Sequence, residues 1–465
     1  MNEFIGRQVE LSRLESLYAS PNGIDRTCAI YGRRRIGKSA LIEKFCEGKR
    51  AVYVPCVYDS DIRNAALLCG AMRPYREGLP DSARFSDALD ALWDVCREAK
   101  TVVVFDEYPY LAQSMRGASS EMQRFIDQCI FKTDSFLILC GSSIKIMRSE
   151  LEDYSRPLYG RVMNRIEVGP ISLKESKLYH PGMSDIDVMK TYLTVGGIPL
   201  YHRLMNGKSY RDSMMRCFLG RDGVLAEEAP AIISRELSPA STHMDILSVM
   251  AGGATSVKEI AEKAGITQSL CSKYIKNLCF IGIAERVNPM ANSPAAPVYK
   301  IRDSLTRFYF ELIDCRKGMF ATESKSIAFN RLAHDLDSFF GIEFEKTCVE
   351  YVKRNYACMN VGSWWGWDGK EVSEIDLVAK ITDGRTESML VGECKFWQKK
   401  VVGEGVFRTL KRRAELVKGL FNVRYVLFSA SEFDEGLEYL EQNGDVTLVG
   451  LEDLLGDSTA KNPHR

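Results

Sequence analysis

The sequence predicts a multidomain α/β protein, and three observations carry that prediction. Short apolar runs rich in β-branched residues, at 27–31, 51–55, 102–105 and 136–140, are spaced by helical patterns. Such runs read as strands of a parallel sheet covered on both faces. From residue 336 to the end there is a second, smaller mixture, in the order helix, strand, strand, helix, strand. The 465 residues suit about three domains at roughly 100–200 residues each.

Taken in order, residues 1–150 are the sheet-bearing core, and 151–240 read as a helical lid with a turn at Gly196-Gly197 and Pro199. Residues 241–302 hold three short helical patterns and then two strand patterns around the loop 291–297, the order of a winged helix-turn-helix. A helical connector spans 303–335, and a second α/β domain spans 336–457, after which the tail is expected to fray.

Composition narrows the classes. Lys+Arg and Asp+Glu both total 62, so no global field draws in nucleic acid, and any such binding must use local patches. The fourteen cysteines include no CxxC pair and lie mostly in apolar runs, which argues for reduced thiols and a cytoplasmic setting. The N-terminus MNEFIGRQVE has no apolar signal core, and no run approaches the ~18 apolar residues of a membrane span.

The most specific motif is GRRRIGKS, residues 32–39, which fits GxxxxGK[ST] at every fixed position. It stands between a strand pattern and a helical one, where a phosphate-binding loop belongs. Glycine lets the backbone curl around phosphates, and the helix N-terminus offers free N–H groups. The candidate ATP cradle is Gly32, Arg33, Arg34, Arg35, Ile36, Gly37, Lys38, Ser39 and Ala40. Lys38 is expected on the β- and γ-phosphates, and the Ser39 hydroxyl on Mg²⁺. The side chains of Arg33, Arg34 and Arg35 are expected to point to solvent or a neighbouring domain, without a catalytic role. The run 102–105 ends in Asp106-Glu107. Asp106 is placed for the Mg²⁺ shell and Glu107 for polarising the attacking water as general base. Run 136–140 ends in Gly141-Ser142-Ser143, which puts Ser142 forward as a γ-phosphate sensor or as part of a plain strand-to-helix turn.

Phe4-Ile5-Gly6-Arg7, YGRRRIGKS, VFDEYPYL (104–111), LILCGSS (137–143), Pro157-Leu158-Tyr159-Gly160-Arg161 and Gly196-Gly197-Ile198-Pro199-Leu200-Tyr201 together resemble the archaeal-type prokaryotic P-loop ATPases. These are related to AAA+ proteins and to signal-transducing STAND NTPases, and many carry a C-terminal domain of formerly unknown function. The resemblance runs nearly end to end. It implies ATP hydrolysis, and it implies a place for Arg161 near the phosphates, in the same chain or from a neighbouring subunit of a homo-oligomer. From the residues alone Arg161 reads equally as a structural ion-pair partner.

In the winged-helix region Val257–Lys263 reads as one helix and 268–278 as the next, with Leu270, Tyr274 and Leu278 facing the core. Gln268, Ser269, Ser272, Lys273 and Lys276 are left outside, a small basic face that suits a major groove. Protein docking or a rigid lever is the other reading of the module.

The C-terminal domain carries Glu374-Ile375-Asp376 on one strand pattern, an Asp383-Gly384 turn, and Glu393-Cys394-Lys395 on the returning strand. This is similar to the D…ExK pattern of PD-(D/E)xK nucleases, which have the restriction-endonuclease-like fold. Period-2 alternation puts Glu393 and Lys395 on one face. Asp376 and Glu393, with Glu345 of GIEFEK (341–346) in support, are the candidate ligands of Mg²⁺ or Mn²⁺, and Lys395 the positioning cation. Trp364, Trp365 and Trp367, expected just ahead of the first strand, stack on bases or pack against the sheet. The leading expectation is an ATP-hydrolysing protein that acts on DNA through a metal-dependent nuclease-like domain, in defence or DNA processing. The alternatives are a STAND-like ATP-driven switch and a DNA-binding regulator that does not cut.

Overall fold

The computed structural model describes residues 4–79, 84–219, 222–291, 293–367, 371–384 and 386–456. The tail expected to fray after Asp457 and Asn292 of the 291–297 loop lie outside the described residues. The chain divides into two compact units, residues 1–171 with 198–200, and residues 172–197 with 201–465.

The first unit is built on a sheet of β1 (Thr27–Tyr31), β2 (Ala51–Pro55), β3 (Val102–Asp106), β4 (Phe136–Gly141) and β5 (Asn164–Glu167). Their lateral order is β2-β3-β4-β1-β5, and every pairing is parallel. All residues of β1 and β4 are buried, because helices cover both faces of the sheet. Each large apolar side chain buried this way contributes about 1.5–3 kcal/mol. The sequence pattern missed β5, whose residues are Asn, Arg, Ile and Glu with only Ile166 buried. It is an edge strand with little apolar surface to betray it. The order matters for function. Because β4 lies between β1 and β3, the loops leaving these three strands emerge side by side at the carboxyl edge, where open α/β sheets bind ligands.

In the second unit, helices Ala240–Ala251, Val257–Lys263 and Gln268–Phe280 precede an antiparallel pair, β6 (Ala284–Val287) and β7 (Val298–Ile301). The third helix buries Cys271, Ile275 and Leu278, whereas Leu270, expected in the core, is 37% exposed. The row 270, 274, 278 drifts around a helix by about 40° per step, while 271, 275, 278 stays on one stripe. Tyr274 sits beside that stripe, edge-on to the His243 ring at 4.7 Å. Gln268, Ser269, Lys273 and Lys276 are exposed and Ser272 is half-buried.

The helix Lys325–Asn355 runs unbroken for 31 residues through position 336, where a boundary between connector and C-terminal domain was expected. It leads into β8 (Cys358–Trp367), β9 (Val372–Asp383) and β10 (Thr386–Lys395), an antiparallel meander. After helix Glu404–Ala414, β11 (Val423–Ser429) pairs with β10 in parallel, and β12 (Thr447–Val449) pairs with β11. The three tryptophans expected ahead of the first strand lie within it: Trp364 is buried, Trp365 half-buried and Trp367 67% exposed. Two register shifts in β8 break the period-2 alternation that marks a strand, which hid it from pattern reading. Asp383 pairs with Thr386 across the expected Asp383-Gly384 turn.

Candidate functional site

The loop 32–37 joins β1 to helix Lys38–Cys46. A side chain at Gly32 would collide with the Val168 carbonyl oxygen, and Gly37 holds a left-handed φ of +94°. Both positions therefore call for glycine. The loop is braced by Arg7, which is buried and donates to the carbonyl oxygens of Ile36 (3.1 Å) and Gly169 (2.6 Å). Arg7 belongs to the entry motif, yet its bracing role was not legible in the sequence, because its partners are 29 and 162 positions away.

Lys38 is buried at the first turn of the helix and donates to the carbonyls of Gly32 and Arg33, both at 3.0 Å. Burial lowers its pKa, against the opposing pull of Cys140, Glu107 and Asp106. The Ser39 hydroxyl donates to Asp106 Oδ2 at 3.0 Å, which puts the two expected Mg²⁺-side oxygens together. Tyr53 of β2 donates to the same oxygen. Burial, then this bond to Asp106, pushes the Tyr53 phenol far above its ordinary value, so it stays a donor. Tyr53 was missed, since only the strand order places β2 beside β3. Ile36 is buried under the loop, Ala40 is half-buried, and the exposed Arg34 donates to the Tyr110 hydroxyl at 2.6 Å. Arg35 adopts a left-handed φ of +66°.

Glu107 also has a left-handed φ, +55°, unusual for a residue with a side chain and a mark of functional sites. Its Oε2 accepts from the Ser142 N–H (3.0 Å) and hydroxyl (2.8 Å). Ser142 is thus the partner of Glu107 here, at the end of the strand between the two motifs.

Arg161 is corrected. Its Nε donates to Asp127 Oδ1 and Oδ2 at 2.9 and 3.0 Å, and its backbone carbonyl accepts from Thr27 Oγ1. Thr27 opens β1, whereas the phosphate loop leaves the other end of that strand, about 3.3 Å per residue away over its five residues. Within its own chain Arg161 is a structural ion-pair residue.

In the second unit, Glu345 comes from the long helix, Asp376 from β9, and Glu393 and Lys395 from β10. The Cys394 N–H donates to Asp376 Oδ2 at 2.8 Å, which anchors that carboxylate on β10. Glu345, Asp376 and Lys395 line one pocket of about 760 Å³. Glu393 is buried and paired twice, with Lys395 at 2.7 Å and with Arg413 at 3.2 Å. Arg413, on helix Glu404–Ala414, was not foreseen. Among the described residues no three His, Cys, Asp or Glu side chains form a group that could hold a metal ion. The expected trio of Glu345, Asp376 and Glu393 is therefore corrected: two cations already neutralise Glu393, which leaves Glu345 and Asp376 as the available carboxylates.

Burial, then the charges of Asp376 and Glu374, pushes Glu345 up to about 8. Burial, then Glu393, raises Asp376 in the same direction. Burial alone would lower Lys395, but Glu393 and Asp376 together outweigh it and raise it. A carboxyl raised in the folded state stabilises fully below its unfolded pKa of about 4.3, and that contribution is lost as pH rises through the folded value. Glu345→Gln removes this pH dependence. In EDTA, the variant is expected to melt on the order of 2–4 °C above wild type at pH 8.5 and to show no such gain at pH 4. Parallel melting curves of the two proteins across that range would contradict the assignment.

An AAA domain model matches residues 25–177. A second model, described as archaea bacterial proteins of unknown function, matches residues 309–406, which include Glu345, Asp376, Glu393 and Lys395. The chain is 26% identical over 462 residues to the uncharacterized protein MJECL04 of Methanocaldococcus jannaschii, covering 97% of this chain and 100% of that protein. It is 35% identical over 77 residues to the uncharacterized protein MJ0424 of the same organism, 17% of this chain and 69% of that one. The solved Walker-type ATPase PABY2304 of Pyrococcus abyssi shares the fold with a TM-score of 0.52 at 19% identity, over 66% of this chain and 96% of that chain. Among the described residues no helix is long and apolar enough to cross a membrane. With a phosphate loop, an acidic partner strand and both domain models in one chain, this protein is an AAA-type P-loop ATPase that also carries a C-terminal domain of unknown function.

Proposed function

We propose that this ATPase acts on nucleic acid, with ATP hydrolysis in the first unit governing a phosphodiester site in the second. The nucleotide suits the loop: its glycines leave room for phosphates, Lys38 supplies a buried positive charge, and Ser39 and Asp106 form an oxygen pair for Mg²⁺. Mg²⁺ bound there neutralises charge on the β- and γ-phosphates. Glu107 takes the proton of the attacking water once Ser142 releases it.

The observation that carries the nucleic-acid reading is the convergence of Asp376, Glu345 and Lys395 on one pocket, at the end of a helix–β8–β9–β10–helix–β11 arrangement. That order supports the resemblance to PD-(D/E)xK nucleases. Mg²⁺ is habitually held by one or two carboxylates plus substrate phosphate, and Glu345 with Asp376 fits that pattern. An ion held by Glu345 and Asp376 would lower the pKa of bound water and offset charge on the phosphodiester. Lys395 orients the phosphate, and Glu393 holds Lys395 in place. The three helices and two strands of 240–301, with Lys273 and Lys276 exposed, support a DNA-contacting winged helix.

The test is incubation of the protein with plasmid, single-stranded DNA and RNA, with and without ATP and with Mg²⁺, Mn²⁺ or EDTA. Cleavage that needs the ion is expected. Asp376→Ala should abolish it and leave ATP hydrolysis intact, since the ATP site lies in the other unit. One observation favours a second reading, a switch that binds nucleic acid without cutting: Glu393 is closed off by Lys395 and Arg413. Binding without cleavage under every condition would select it.

A further inference from the structure

Glu345 and Asp376 line a pocket of about 760 Å³ together with residues of the long helix Lys325–Asn355, and it also takes in Lys190 from helix Asp185–Val195 and Tyr210 from helix Tyr210–Cys217. The segment after β10 adds Trp397, Lys399 and Lys400.

Three properties restrict what can enter. The volume falls in the ~300–1,000 Å³ range of pockets that enclose a small ligand, room for a nucleotide or a short unpaired stretch. A duplex keeps its bases stacked inside and carries its phosphates on a convex surface, which a concave site of this size does not match. The lining carries four ammonium groups, from Lys190, Lys395, Lys399 and Lys400, beside the carboxylates of Asp337, Glu345 and Asp376, a mixed set that suits phosphate held together with a divalent cation. Lys190 is half-buried, and that burial lowers its pKa despite Asp187 and Asp337 nearby, so a phosphate beside it would favour its charged form. The Lys400 ammonium stands over the half-buried Trp397 ring, 4.2 Å from its centre, so a cation and an aromatic ring line the pocket side by side. Cations for the backbone and aromatic planes for the bases are how single strands are held without base pairing.

We infer that this pocket takes an unpaired nucleic-acid segment and rejects duplex, with Lys190 and Lys400 holding phosphates and Trp397 stacking a base. This rests on the proposed action of the second unit on nucleic acid. It adds a substrate class and brings Lys190, from the region between the phosphate-loop core and the C-terminal sheet, into the same site.

The test is fluorescence anisotropy of the full chain with a labelled single strand and with the hairpin-capped duplex of the same sequence. Calcium replaces magnesium, so that binding is read without cleavage. The single strand is expected to bind at least about tenfold tighter than the duplex, and Lys190→Gln and Trp397→Ala each to weaken it by about tenfold. Lys190→Arg keeps the charge and should retain binding. Trp397→Phe keeps an aromatic plane and guards against a folding defect in the alanine variant, with thermal melting as the control. Equal affinity for strand and duplex overturns the inference alone, as does single-strand binding that neither Lys190→Gln nor Trp397→Ala alters. No binding of any nucleic acid overturns the underlying reading of the second unit as well.

Discussion

Lys38→Ala is expected to abolish ATP hydrolysis and to weaken ATP binding by about 10- to 100-fold, the worth of one or two charge-assisted hydrogen bonds at 1.4 kcal/mol per decade. Its ammonium is buried and already aimed into the loop, 3.0 Å from two of the loop's own carbonyls. Phosphate oxygens can take over those contacts without the lysine changing place. Such preorganised charge acts most strongly on the transition state, where removing one donor typically costs about 10²–10³ in rate. The variant should still fold, since alanine removes a desolvated charge from the interior. Isothermal titration with ATP and a phosphate-release assay, with thermal melting as control, check this. Unchanged affinity and turnover would remove the loop from the mechanism.

Glu107→Gln is expected to bind ATP like wild type and to hydrolyse it about 10²–10⁴-fold more slowly, the usual worth of a general base. The amide oxygen can still accept from the Ser142 N–H and hydroxyl, so the local geometry and the left-handed φ of +55° survive while the base is lost. A single-turnover measurement separates the two effects. Wild-type turnover in the variant would place the base elsewhere.

Legibility differed between the two sites for a physical reason. The phosphate loop is contiguous: Gly32 to Ser39 carry their own turn geometry, charge and helix start in eight consecutive residues, so the motif could be read directly. Asp106 and Glu107 were legible because a fully apolar run ends in two acids. The partners that complete the site were not. Tyr53 reaches Asp106 because β2 lies beside β3, and Ser142 reaches Glu107 because β4 lies between β3 and β1. No local pattern encodes lateral strand order.

The C-terminal cluster shows the same division. Alternation along β10 and the Asp383-Gly384 turn are local, and they were sufficient to nominate Asp376, Glu393 and Lys395 as neighbours. Arg413 sits 20 positions beyond Glu393, on a helix that turns it toward that carboxylate, and it changes the charge available to a metal ion. The pairing of Arg161 with Asp127, 34 positions earlier, likewise decides that this arginine is structural within its own chain. Sequence by itself determined which segments are strands and helices wherever burial repeats with a clear period, and which residues form the ATP loop, because those properties belong to short stretches of chain. Only the tertiary structure decided which charges neutralise one another, because an ion pair depends on separation in space, and folding brings together residues that no spacing rule connects.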